Sequence, residues 1–154
     1  MKFALAAAAA LAALASPLAA QSFDLECEQT DTNSISVGGR SPINQVTVGV
    51  FTVSVDPAAK KALFRFENPD GTPGTTLRDI LMYSPREIVL CQADVCQRQV
   101  PIDGFEGASR TFGLTTIDLQ SGRLSRRADS SIPDRQLGAL ITAATVRDGI
   151  CRKV

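Results

Sequence analysis

Between Gln45 and Phe66 side chains alternate in character with a period of two, and that pattern constrains the chain more than any other feature. Val46, Val48 and Val50 keep one phase, while Phe51, Val53 and Val55 keep the other. The change of phase beside Gly49 predicts a β-bulge, because one extra residue shifts every later side chain to the opposite face. Asp56-Pro57-Ala58-Ala59 reverses the chain, with proline at the favoured second turn position. Ala62, Phe64 and Phe66 then share one face of the return strand, and Lys61 and Arg65 the other. A period of two cannot sit on one face of a helix, so this segment is a β-hairpin.

A second hairpin follows from Arg110 to Arg127. Phe112, Leu114, Ile117 and Leu119 are interleaved with threonines, and Asp118 to Gly122 supplies the turn. Gly122 can adopt φ > 0 at no steric cost, and Asp118 and Ser121 can bond nearby backbone. Gln21 to Glu28 is a short strand with Phe23, Leu25 and Cys27 on one face and three acids on the other. The acids lack the oxygen-ligand spacing of a calcium loop and read as a solvated face. Leu77 to Cys91 holds two short strands divided by Ser84-Pro85.

The connecting segments are rich in Gly, Pro, Ser, Asn and Asp. Thr30 to Asn44, Glu67 to Thr76, Gln92 to Ser109 and Ser130 to Arg135 are expected as loops. Leu137 to Val146 fits either period; its β-branched content favours a strand over a helix. The fold expected is mostly β: a single small antiparallel meander of about eight strands, closing toward a barrel or a sandwich.

The N-terminus has the three parts of an export signal. Met1-Lys2 is charged, Phe3 to Ala15 is apolar, and small residues precede a cleavage point between Ala20 and Gln21. The apolar run is shorter than the roughly 20 residues a bilayer span needs. Residues 1–20 are therefore expected as a signal peptide and 21–154 as one periplasmic or secreted domain, with no membrane span in the mature chain. In such a compartment the four cysteines favour disulfides. The expected pairs are Cys91–Cys96, which closes a short reversal, and Cys27–Cys151, which joins the two ends of the mature domain. A four-cysteine zinc site or a redox pair fits less well, since C-x4-C is neither a zinc knuckle nor a C-x-x-C motif.

Composition restricts the chemistry. The chain has no histidine, so no Ser–His or Cys–His nucleophile pair and no His-ligated metal can form. Sixteen Lys+Arg balance sixteen Asp+Glu, so no global field draws nucleic acid. Glycine-rich phosphate loops of known spacing are absent. Asp103 and Glu106 form the one local carboxylate pair considered for hydrolysis, and such a pair must face across a cleft to work. Arg110, Arg123, Arg126 and Arg127 form a basic cluster suited to a partner contact, with Arg123 and Arg127 on one strand face and Arg126 on the other. The cluster lacks the interleaved aromatics of a nucleic-acid groove.

Ile117-Asp118-Leu119-Gln120-Ser121-Gly122-Arg123-Leu124, followed by Asp148-Gly149-Ile150-Cys151, resembles the ending of many small exported bacterial proteins of unknown function. Those show I-D-R-x-T/S-G-x-L and then G-x-C, so Leu119 departs from the pattern. The resemblance implies an antiparallel β domain with a terminal cysteine, and no active site. The expected function is an exported, non-enzymatic β domain without cofactor, binding a protein or a small ligand. An inhibitor of a secreted hydrolase, inserting Gly38–Pro42 or the arginine region, is the main alternative, ahead of a carboxylate-dependent hydrolase.

Overall fold

The computed structural model describes residues 21–92 and 95–154; the expected signal peptide lies outside the described residues. Nine strands follow in order: β1 (Phe23–Val37), β2 (Ile43–Asp56), β3 (Lys61–Glu67), β4 (Pro73–Tyr83), β5 (Glu87–Cys91), β6 (Gln99–Pro101), β7 (Ser109–Asp118), β8 (Arg123–Asp134) and β9 (Ala139–Lys153). Every ladder is antiparallel. Neighbours in chain order pair from β1 to β5 and from β6 to β9, β1 pairs with β9, and β5 pairs with β7. The β5–β7 ladder closes eight strands into a barrel and leaves β6 as a flap on the upper part of β7.

Closure is confined to the lower half. There the inward phase is apolar: Leu25, Phe51, Val53, Val55, Ala62, Phe64, Ile80, Ile88, Leu90, Ile117 and Leu124 make one buried cluster. Cys27 and Cys151 face each other in the β1–β9 ladder within that cluster, their sulfurs 2.05 Å apart. Cys91 and Cys96 form the second pair. The 124-residue separation of the first pair locates its effect: it ties the first and last strands together, where the chain-entropy model assigns about 4–5 kcal/mol.

Gly122 makes the seam possible. Its φ of +74° suits glycine, and a Cβ there would lie 2.3 Å from the Cys151 carbonyl oxygen. The Cys151 N–H donates to the Gly122 carbonyl at 2.7 Å, so the β7–β8 turn is bonded directly to the disulfide strand. Asp118 holds the turn, accepting the Gln120 and Ser121 N–H groups at 2.8 and 2.9 Å. These bonds, that from Ser121 first, hold its carboxyl below the usual carboxylate range.

Several sequence expectations are corrected. Thr30 to Asn44 is not a loop: β1 runs to Val37, a turn with positive φ at Gly38 and Gly39 follows, and β2 begins at Ile43. Ser130 to Arg135 likewise belongs mostly to β8, and β4 starts at Pro73 inside the expected loop at Glu67 to Thr76. No bulge interrupts the β1–β2 ladder at Gly49; the register from Phe23↔Val55 to Ile35↔Ile43 is continuous. The apolar side of β2 simply changes, from the inner face below to the outer face above. Leu137 to Val146 lies largely in β9, a strand as expected.

Candidate functional site

Above the closed core β1, β2, β7, β8 and β9 continue past the barrel, and their inward phase turns polar. On β1 the inner row that begins with Leu25 and Cys27 continues as Gln29, Asp31 and Asn33. The matching residues of β9 are Gly149, Arg147 and Thr145. Opposite these on β8 are Leu124, Arg126 and Ala128. Thr115 and Phe112 continue the row on β7, and Arg78 on β4 enters from the far wall. The apolar plug thus becomes the floor of a polar bowl.

Three arginines converge there. Arg78 shares the inward phase of Ile80 and is only 6% exposed, a rare position for a guanidinium. Its stem crosses the Phe64 ring, with the guanidinium carbon 4.4 Å from the ring centroid. Its Nη1 donates to Thr115 Oγ1 at 2.5 Å, and its buried Nε has no partner among the described residues. Arg126 lies 5.5 Å over Phe112 and donates to Gln92 Oε1 at 3.3 Å; its Nε is also buried without a partner. Arg147 alone meets a carboxylate, Asp31, in a bidentate pair with both bonds at 2.7 Å.

Among the described residues the charges on the floor do not balance: three guanidiniums face one carboxylate, and Arg147 engages it. Arg126 stands directly opposite Arg147 in the ladder, a like-charge pairing that destabilises an isolated sheet. Burial, followed by repulsion from Arg126 and Arg147, pulls the Arg78 pKa down to about 9. Burial and Arg147 likewise lower Arg126 to about 10. Both shifts express one condition, a cation held away from water beside other cations, which for Arg126 the opposing pull of Asp31 only partly offsets.

Two contiguous cavities give access. One of about 340 Å³ is lined by Gln29, Gly49, Phe66, Arg78, Arg126 and Arg147 among others, with Glu67 exposed at its rim. A second of about 380 Å³ shares Phe112, Arg126 and Arg147 and reaches Arg110 and Asp129. Phenyl rings make apolar walls; on the floor the Arg78 and Arg126 Nε–H groups are free donors and Gln29 Oε1 a free acceptor, all three buried and without partners among the described residues.

The four arginines expected as one partner surface separate. Arg126 lies in the bowl, and exposed Arg110 shares its inner phase at the mouth, its guanidinium carbon 5.6 Å from the Phe112 ring centroid. Arg123 and Arg127 stand on the outer face, where Arg127 pairs with Asp129 and Arg123 approaches Asp148 at 3.8 Å. The Arg127–Asp129 pair is exposed and contributes little. Asp103 and Glu106 do not face each other across a cleft: both are exposed on the β6–β7 loop, where Glu106 pairs with Arg135. Among the described residues no cluster of His, Cys, Asp and Glu could hold a metal, and no helix is long and apolar enough to cross a membrane.

Arg78 and Arg147 are the residues sequence reasoning missed. A signal existed for Arg78. Ile80, Ile88 and Leu90 make the inward phase of that hairpin apolar, and Arg78 shares it, while Leu77 takes the solvent phase and is 55% exposed. No known protein family matches the chain, and comparison with curated proteins finds no matching relative.

Proposed function

We propose that this is an exported binding domain whose working surface is the arginine bowl, and that its ligand carries an anionic group on a partly apolar body. One observation carries the reading: Arg78 is buried beside Arg126, and among the described residues no carboxylate bonds to either. Breaking up a buried ion pair by removing its anion costs about 3–5 kcal/mol, so an unneutralised buried cation is retained against a stability cost. An incoming carboxylate or phosphate would supply the missing charge, and the Phe64 and Phe112 rings would flank its apolar part.

Binding rather than turnover is supported by what surrounds the arginines. The chain has no histidine, and the inner carboxylate, Asp31, is occupied by Arg147. Export to the periplasm or the medium is supported by the N-terminal pattern, and the two cysteine pairs at disulfide distance are compatible with it. Calorimetric titration tests the ligand class directly. Phenylacetate is expected to bind saturably, and phenylacetamide, of the same shape without the charge, is expected not to. Equal heats for the two, or none for either, would remove the reading.

A further inference from the structure

β2 is paired with β1 from Ile43 to Val55, but with β3 only from Phe51 downward. Above Phe51 no described strand covers its other side. The disulfide shows which groups are left free. Cys27 and Cys151 are directly opposite with Cα atoms only 4.0 Å apart, the spacing of a pair that does not exchange hydrogen bonds. Cys27 therefore turns its backbone groups toward β2, and its partner Phe51 turns its own toward β1. By alternation, Val46, Val48 and Val50 direct their N–H and C=O groups to the open edge.

This edge lacks the usual protection. No charged residue occurs from Ser41 to Val55, and Val46, Val48 and Val50 are 60%, 67% and 60% exposed on the outer face. Natural edge strands normally carry lysine, proline or a bulge against unwanted pairing. The inner phase of the same edge opens into the bowl: Gly49 lines the cavity that holds Arg78 and Arg147. A Cβ at Gly49 would meet only the Gln29 side chain, at 3.9 Å, so a neighbouring residue has room to enter.

We propose, resting on the ligand class inferred above, that the bowl's occupant is an extended peptide. It adds as a strand to β2 beside Val46–Val50 and directs an acidic side chain, opposite Gly49, to Arg78 and Arg126. Main-chain bonds to the edge supply affinity, and the guanidiniums select the acid. A second copy of this chain is a poorer occupant: its own free edge from Ile43 to Val50 contains no acid, so self-pairing leaves the floor charge unanswered.

Fluorescence anisotropy with a labelled, end-blocked peptide Val-Thr-Val-Glu-Val-Thr-Val tests this. The peptide is expected to bind about tenfold or more tightly than its Glu-to-Gln analogue, which loses the charged bonds. It should also bind more tightly than phenylacetate. Methylating the peptide amides that face β2 is expected to abolish binding, while methylating the alternate set leaves it intact. Val48→Pro removes an edge donor without touching the β1 ladder and is expected to weaken binding about tenfold, as loss of main-chain pairing would. The methylated peptides carry the test should that variant fold poorly. Phenylacetate binding with no peptide advantage, or indifference to which amides are methylated, would overturn strand addition and leave the anion site standing. No binding of either would remove both. A dimer dissolved by Val48→Pro would assign the edge to a second copy and overturn the proposal.

Discussion

Arg78 concentrates the physical tension of the molecule. Its guanidinium is out of water, stacked on Phe64 and bonded to a single hydroxyl. Methionine fills similar space without charge, so Arg78→Met is expected to raise the unliganded stability by about 1–3 kcal/mol while abolishing phenylacetate binding. Chemical denaturation and calorimetry on the same preparation check both halves. The depressed pKa sets a pH window. Below about 9, both the folded and the unfolded chain hold the Arg78 proton, so the burial cost is present in full. Above it the folded state releases the proton while the unfolded chain keeps it, so folding stability from this residue rises with pH. The advantage of Arg78→Met over the parent is therefore expected to be flat up to about pH 9 and to shrink beyond it, as paired denaturation curves across pH would record. Anion affinity should fall in the same window, as the guanidinium loses its charge.

At the level of strands and turns, Gly122 is the position least able to change. Alanine there combines a strained φ with a clash against the Cys151 carbonyl, and Gly122→Ala is expected to cost about 2–3 kcal/mol in a denaturant melt. The lower halves of the strands were legible because one phase is apolar and the other polar. Phe51, Val53 and Val55 show this, as do Ala62 and Phe64. The upper halves were not legible, because there both phases can be polar. Gln29, Asp31 and Asn33 line the bowl while Thr30, Thr32 and Ser34 face out, so β1 loses its period and reads as a loop. On β2 the apolar phase changes sides at the rim of the bowl, and that change imitates a bulge at Gly49. The arginine cluster was misread for a related reason: proximity in sequence places Arg126 and Arg127 on opposite faces of β8. The arginines that do meet come from β4, β8 and β9, which only the closed topology brings together.

For the whole molecule, the barrel closes along two seams, β5 with β7 and β1 with β9, and only the second is covalently fixed by a disulfide between the two strands. Replacing Cys27 and Cys151 together by alanine is expected to cost about 3–5 kcal/mol, against about 2 for Cys91 and Cys96. Equilibrium unfolding of the two double variants gives the comparison. The same architecture explains where the bowl sits. A closed, apolar lower half anchors the strands that project beyond it, so Arg126 and Arg147 stand on strands β8 and β9, and Arg78 on β4, rather than on loops. The central claim is that these strands hold charge for a ligand. It is tested most directly by following the arginine Nε–Hε resonances in a nitrogen-15 NMR titration with phenylacetate. Signals of Arg78 and Arg126 are predicted to shift together and saturate, while that of Arg65, which donates to Ser54 on the outer face, stays still. Unmoved signals from Arg78 and Arg126, or a drift shared equally with Arg65, would contradict it.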